Sequence, residues 1–225
     1  MADMQKDCCA MARSGRLAAG HDPAKRAQIL AGARNVISRM GYDAASVNDI
    51  AREAGVSKGT IYVYFNGKDE LFEALMEQAR EGLFLELEEL LGLPGNLRER
   101  MMRYGETVAR LLCSDEGVRV HRVMFGVAER MPEIGARFYE RGATRGSGIL
   151  AGVLKPEVQA GRLDIAEEDL PFAAKQFFEL CLVGLFRRRL FGHMEFEPTS
   201  EEITRVVTDA ADMFLARHGT ELLED

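Results

Sequence analysis

The stretch from Ser46 to Lys68, SVNDIAREAGVSKGTIYVYFNGK, constrains the fold of this chain more than any other. Ser46 with Asp49 three residues on is the reciprocal capping pattern that opens a helix. Val47, Ile50, Ala51 and Ala54 recur at the spacing of one helical face, and Gly55 stops the run where a tight turn needs positive φ. Ser57 then caps a second helix. Counted from Val47, the residues Ile50, Ala51, Gly55, Val56 and Ile61 stand at positions four, five, nine, ten and fifteen, the pattern of a helix-turn-helix. Ala51 is small because the second helix crosses over it, and Val56 with Ile61 plugs the gap. The outward side of the second helix keeps Lys58, Gly59, Thr60, Tyr62 and Val63. These types suit a DNA groove: a cation for phosphate or guanine, a glycine for close backbone approach, and methyl groups for thymine.

A plain helical hairpin shares the bare Ala-x-x-x-Gly spacing, so the discrimination comes from the residues immediately downstream. Tyr64, Phe65, Lys68 and Leu71, in YFNGKDEL, resemble the YFxxKxxL signature of the TetR family of transcriptional regulators, and the likeness runs over roughly residues 23 to 75. The resemblance implies that Lys58, Gly59, Thr60 and Tyr62 face DNA, that Tyr64 and Lys68 lie on phosphates, and that Ser46 or Thr60 adds backbone bonds. Two positions depart from the family pattern. Asn48 is often Arg in relatives, which weakens a phosphate contact there, and Val63 is often aromatic or His, which points to apolar contact with a thymine methyl.

The formal net charge of −7 at first argues against a nucleic-acid partner, and its distribution reverses that reading. Residues 1–67 hold nine Lys or Arg against six Asp or Glu, while the remainder holds twenty against thirty. The positive share sits with the reader. The longest mostly apolar stretch, Phe177 to Phe186, contains Glu179 and is too short for a bilayer. The opening segment has acids at Asp3 and Asp7 and no apolar run, so no secretory signal is read. Residues 1–21 read as a disordered arm, with Arg13 and Arg16 as candidate backbone contacts. Cys8 and Cys9 are adjacent, and Cys113 and Cys181 stand alone. No Cys or His pair has zinc-ligand spacing, so no metal site is expected. A cytoplasmic protein with reduced thiols fits. Cys113 and Cys181 are read either as buried structural residues or as redox sensors.

The expected fold is all-α: a three-helix helix-turn-helix DNA-binding domain over 22–67, then a larger helical regulatory and dimerisation domain over 68–225. Asp22 and Pro23 open the first helix, and Ile29, Ala33, Val36, Ile37 and Met40 form its apolar stripe before Gly41 stops it. Lys68 opens a long fourth helix with Asp69, Glu70 and Glu73 in its first turns. Leu71, Phe72, Leu75, Ala79, Leu83, Leu87, Leu90 and Leu91 give it an apolar side, and it ends in GLPG. As a rigid element shared by both domains, it is the expected lever between them. Further helices are expected over Leu97–Cys113, from Ser114 to Arg130, from Pro132 past Leu150 to a stop or kink at Pro156, from Pro171 to about Leu190, and from Thr199 to about His218. No strand signal and no internal repeat is present.

The segments PEIGARFYERG, GRLD and FFELCLVGLFRRRLFG resemble the AefR-like subgroup of TetR regulatory domains. The resemblance implies a homodimer through the last two helices, where Phe172, Phe177 and Leu180 alternate with Ala173, Ala174, Cys181 and Gly184. An intramolecular core contact is the other reading of that alternation. It also implies a pocket for a small-molecule effector, with Met101, Tyr104, Val108, His121, Met124, Phe125, Phe138 and Phe178 as candidate lining; the same residues at helical spacing suit a plain core. Arg187, Arg188 and Arg189 read as a solvated helix end, with an anion-binding role as the lesser reading. No nucleophile elbow, phosphate-binding glycine loop or carboxylate pair facing a histidine is present, so no catalytic residue and no cofactor are expected. The function expected is a ligand-responsive repressor acting on a palindromic operator. A helical small-molecule-binding or protein-interaction module that has lost DNA binding is the alternative.

Overall fold

A computed structural model of the protein describes residues 20–223, apart from the side chains at 79, 80, 82, 83 and 223. The expected arm residues Cys8, Cys9, Arg13 and Arg16, and the Ala79 and Leu83 side chains assigned to the fourth helix, lie outside the described part. The chain divides into two compact units, residues 1–72 and 73–225.

In the first unit, Asp22 accepts from the N–H groups of Ala24 and Lys25 and opens helix α1, Pro23–Met40. Ile29, Ala33 and Val36 are fully buried and Ile37 nearly so, so these four of the expected stripe form the packed face; Met40, at the end of the helix, is instead 43% exposed. Helix α2, Val47–Ala54, opens on the capping box of Ser46 and Asp49 and closes on Gly55, whose φ of 63° and ψ of 36° are left-handed. Helix α3, Lys58–Tyr64, is capped by Ser57. Helices α1 and α2 approach tightly at Gly32: an added Cβ would lie 2.7 Å from Ala54 Cβ and 2.8 Å from Ala54 N. There Gln28 also donates to the Ala54 carbonyl at 2.6 Å, satisfying an end of α2.

Helix α4, Lys68–Gly92, belongs to both units by chain continuity. The second unit continues through α5, Leu97–Cys113, α6, Asp115–Arg130, α7, Pro132–Tyr139, and α8, Arg145–Gln159. It then runs through α9, Leu170–Leu180, α10, Phe186–Leu190, and α11, Ser200–His218. No strand occurs among the described residues; Leu163 and Gly219 make an isolated bridge. Tyr104, Phe177, Leu150, Leu154, Val207 and Ala211 fill its core. Gly105 lets α5 approach closely, since an added Cβ would lie 2.5 Å from Val207 Cγ1 and 2.7 Å from Cys181 Sγ. Glu157, nearly buried, receives Arg100 and Arg162, each at 2.6 Å. Burial raises the Glu157 carboxyl, and the two guanidinium hydrogen bonds outweigh it, so its pKa lies below the ordinary range.

Three expectations are corrected. The single helix expected from Pro171 to Leu190 is broken: α9 ends at Leu180, a turn carries the chain through Gly184 at φ 72°, and α10 resumes at Phe186. The break directs Cys181, Leu182 and Leu185 inward. The helix expected from Pro132 onward widens to π geometry over Glu140–Thr144 and runs on for one turn beyond Pro156. Arg189 is not part of a solvated end. It is buried and donates to the carbonyls of Cys113 at 3.0 Å, Met194 at 3.1 Å and Glu195, and to the Asp115 carboxylate. Arg187 and Arg188 are exposed, as their pattern implies.

Candidate nucleic-acid interface

The reader is held by its apolar side. Ile61 is fully buried and Phe65 nearly so, and the Arg26 guanidinium lies over the Phe65 ring at 5.3 Å. What faces outward on α3 is Lys58, Gly59, Tyr62 at 49% exposure and Val63 at 52%. Lys58 Nζ sits 6.0 Å from the centre of the Tyr62 ring, one turn along, so cation and aromatic share one face. The structure therefore brings these four expected contacts together. Thr60 is half-buried, its N–H bonded to Ser57 Oγ and its hydroxyl 2.8 Å from the same oxygen. Tyr64 is half-buried.

Ser46 is exposed, but its hydroxyl bonds the Asp49 carboxylate at 2.5 Å and accepts from the Asp49 N–H at 3.1 Å. The Ser46 hydroxyl, joined by its own N–H and by Arg52, holds the Asp49 carboxyl below the ordinary range in spite of some desolvation. An Asp49 that stays charged keeps the first turn of α2 capped.

Lys68 has a different employment from the phosphate contact expected. Its ammonium donates to the carbonyls of Tyr42 at 2.9 Å, Ala45 at 3.1 Å and Asp43 at 3.4 Å. It also lies 4.3 Å from the centre of the Tyr42 ring. All three donors of the ammonium are thus spent on the turn between α1 and α2. Tyr42, which sequence reasoning does not single out as a site residue, completes the joint: its hydroxyl bonds Asp69, and its ring meets Phe72 at 4.7 Å. The sequence signal for Tyr42 is a large aromatic directly after the stop at Gly41. Lys68→Met is expected to cost about 2 kcal/mol of stability, as charged hydrogen bonds do, and to weaken DNA binding without changing its dependence on salt. A fall in the salt slope of binding would restore the phosphate role.

Among the expected effector-site residues, Met101, Tyr104, Val108 and Met124 are buried. The Tyr104 hydroxyl donates to the Gly146 carbonyl at 3.0 Å. A Cβ at Gly146 would lie 3.9 Å from both Phe178 and Phe84 and 4.0 Å from that hydroxyl, so these rings converge beside Gly146. His121 stands edge-on to Phe138 at 5.5 Å and to Phe186 at 4.9 Å, with Nδ1 2.7 Å from the Gly117 carbonyl. Burial holds its pKa below the ordinary histidine range, outweighing that hydrogen bond. Phe125 is a correction: it is 61% exposed on α6, because the buried face of that helix carries Val118, Met124 and Val127 instead.

Cys113 and Cys181 are both free and fully buried. Burial pushes the Cys113 thiol up to about 11, against a smaller pull from Arg189, and raises the Cys181 thiol as well. Neither supplies the exposed thiolate that redox sensing needs. Among the described residues no group of three or more His, Cys, Asp or Glu could hold a metal ion, and no helix is long and apolar enough to cross a membrane.

Comparison with known proteins agrees with this geometry. Residues 29–75 match the family described as bacterial regulatory proteins, tetR family, and residues 99–220 match the AefR-like transcriptional repressor C-terminal domain. An HTH-type transcriptional repressor of Mycobacterium tuberculosis is 30% identical over 182 residues, covering 76% of this chain and 86% of the relative. The crystal structure of a regulator from Mesorhizobium loti, assigned to the TetR family, superposes with a TM-score of 0.79 at 24% identity, over 88% of this chain and 98% of that one. A flavonoid-responsive regulator superposes with a TM-score of 0.73 at 25% identity, over 89% and 100%. With an exposed reader helix at one end and these matches over both parts of its length, the chain belongs to the TetR family of bacterial transcriptional regulators.

Proposed function

We propose that this DNA-binding regulator is a repressor that sits as a homodimer on a palindromic operator and leaves it when a small, largely apolar molecule occupies the second unit. The observation that carries the reading is the division of α3: Ile61 wholly buried on one side, Lys58, Tyr62 and Val63 exposed on the other. Lys58 and Tyr62 contact base edges and phosphate, Gly59 admits the backbone, and Val63 meets a thymine methyl. Likeness to a mycobacterial repressor supports the sign of the output, and likeness to a flavonoid-responsive regulator supports a small-molecule signal.

The second copy docks on the outer face of α9 and α11. Phe177, Ala173, Ala174 and Cys181 are used up in the chain's own core, whereas Phe172, Val183 and Met213 remain 60–63% exposed. The effector lies among Tyr104, His121, Phe138 and Phe178. Two readers must meet grooves about 34 Å apart, or a multiple of it, so a ligand that favours another separation removes simultaneous engagement. A coupling of about 1–3 kcal/mol changes affinity roughly 5- to 150-fold.

Selection of duplexes from a random pool is expected to return a two-fold symmetric sequence. Lys58→Ala and Tyr62→Ala are each expected to weaken gel retardation of that duplex at least about tenfold, from the 1–3 kcal/mol of a specific contact, with the dimer intact by sedimentation. Unchanged retardation in both rejects α3 as the reader; an asymmetric selected sequence rejects the dimeric operator.

A further inference from the structure

Where α7 and the π segment run beside α4 in the second unit, arginines recur every four residues. Arg137 pairs with Glu73 at 2.5 Å and Arg141 with Glu77 at 3.4 Å. The sequence continues both rows with Arg145 and Glu81, and a regular α-helix would keep that arginine on the same face. Among the described residues no such third pair forms. The turn over Glu140–Thr144 is π-helical and takes in one residue more than an α turn, so Arg145 arrives rotated off the row. Its guanidinium lies over the Phe84 ring instead, 4.5 Å from the centre.

That ring borders the place where the effector lies in the proposed function. Phe84 is nearly buried, and its Cε1, like Phe178 Cε2, would stand 3.9 Å from a Cβ added at Gly146. Arg145 is the residue before Gly146 and is exposed. The rings therefore make an apolar surface with a cation at its edge. A guanidinium stacked on an aromatic face keeps its N–H donors in its own plane, directed sideways and open to a planar acceptor. The Arg145 side chain makes no hydrogen bond and no ion pair with any described residue. Residues 68–225 hold thirty acidic residues against twenty basic ones, so an anion is held there only where a cation stands beside it.

We infer that the effector is an apolar carboxylate, with its hydrocarbon or aryl body among the rings beside Gly146 and its carboxylate bound by the Arg145 guanidinium through a pair of parallel hydrogen bonds. This rests on the effector site of the proposed function. A neutral apolar effector is the competing outcome.

The test is calorimetric titration of the full chain near neutral pH with matched pairs: benzoate and benzamide, 2-naphthoate and 2-naphthamide, octanoate and octanamide. A carboxylate that binds is expected to do so about tenfold more tightly than its amide, the effect of charge-assisted hydrogen bonds to the guanidinium. In Arg145→Gln that ratio is expected to fall to about one with the amide affinity retained, and Arg145→Lys is expected to recover part of it, as a point charge without the fork. Lys155→Gln removes the same charge ten residues further along α8 and is expected to leave the ratio as it is. Phe178→Ala is expected to weaken acid and amide alike. An amide that binds the parent as tightly as its acid overturns the inference and leaves the effector site standing for a neutral molecule. A ratio that survives Arg145→Gln, or falls equally in Lys155→Gln, overturns it as well. So does an equal loss of acid and amide in Arg145→Gln, which would mark the guanidinium as packing on Phe84 alone, and so do affinities unmoved by Phe178→Ala. Failure of every compound to bind defeats the effector site and its charge preference together.

Discussion

Gly32→Leu is expected to abolish operator retardation and to remove the cooperative unfolding of the first unit. The added Cβ would stand 2.7–2.9 Å from the Cβ, N and Cα of Ala54, inside any real contact distance. Two of those three atoms are backbone and cannot swing aside. Relief requires α1 and α2 to separate, which exposes Ile29, Ala33 and Ile50 and pulls the Gln28 amide off the Ala54 carbonyl. Overpacking by a few methylenes costs about 1–3 kcal/mol where side chains can yield; against backbone we expect at least about 3 kcal/mol. A small three-helix domain has little more than that to lose. Gly32→Ala brings the same Cβ against Ala54 and is expected to destabilise too, less than leucine only because it lacks the rest of that side chain and because alanine returns up to about 1 kcal/mol of helix propensity over glycine. Thermal unfolding followed by circular dichroism, with gel retardation alongside, checks both. Parent-level binding by the leucine variant would show that the crossing accepts a side chain.

Arg189→Met is expected to lower the melting temperature of the second unit by about 6–12 °C, the shift that a loss of about 3 kcal/mol produces in a unit of this size. The guanidinium serves three carbonyls and the Asp115 carboxylate from a position only 4% exposed. It joins the end of α5 and the start of α6 to the loop between α10 and α11. Methionine fills much of the volume but leaves those carbonyls without their donor. Asp115 is itself 70% exposed, so the loss is chiefly of hydrogen bonds and less of a buried ion pair. Charged hydrogen bonds of this kind account for the total of about 3 kcal/mol. Arg189→Lys is expected to recover only part of it, since a single ammonium cannot reproduce a planar fork aimed at four acceptors. Calorimetry of the two variants decides the matter, and an unchanged melting temperature in Arg189→Met would remove the buried guanidinium from the account of stability.

The features legible in the sequence are those with a local cause. The capping box at Ser46 and Asp49, the left-handed stop at Gly55 and the cap at Ser57 are each decided within four residues of themselves, and all are found where the pattern puts them. The residues whose roles the pattern misses take their partners from far along the chain. Lys68 bonds carbonyls 23 to 26 residues earlier, and Arg189 reaches back 74 and 76. A basic residue near a helix end gives no sign of whether water or a carbonyl awaits it. Gly32 lies between these cases. A glycine in the middle of a helix costs stability unless a neighbour needs the space, so its presence between Ala31 and Ala33 is a signal of close approach that spacing alone does not reveal. The break after Leu180 has Gly184 as its single local cue, inside a run whose apolar pattern continues without change.

In the second unit Arg137 bonds Glu73 and Arg141 reaches Glu77, two rungs one helical turn apart that tie α7 and the π segment to α4. Both rungs are open to water, so dissolved ions compete for them just as they compete for DNA phosphates. Raising the ionic strength therefore loosens the grip on α4 while it strips affinity for the duplex. A repressor built this way has an ionic sensitivity written into its frame, apart from any molecule it was made to detect.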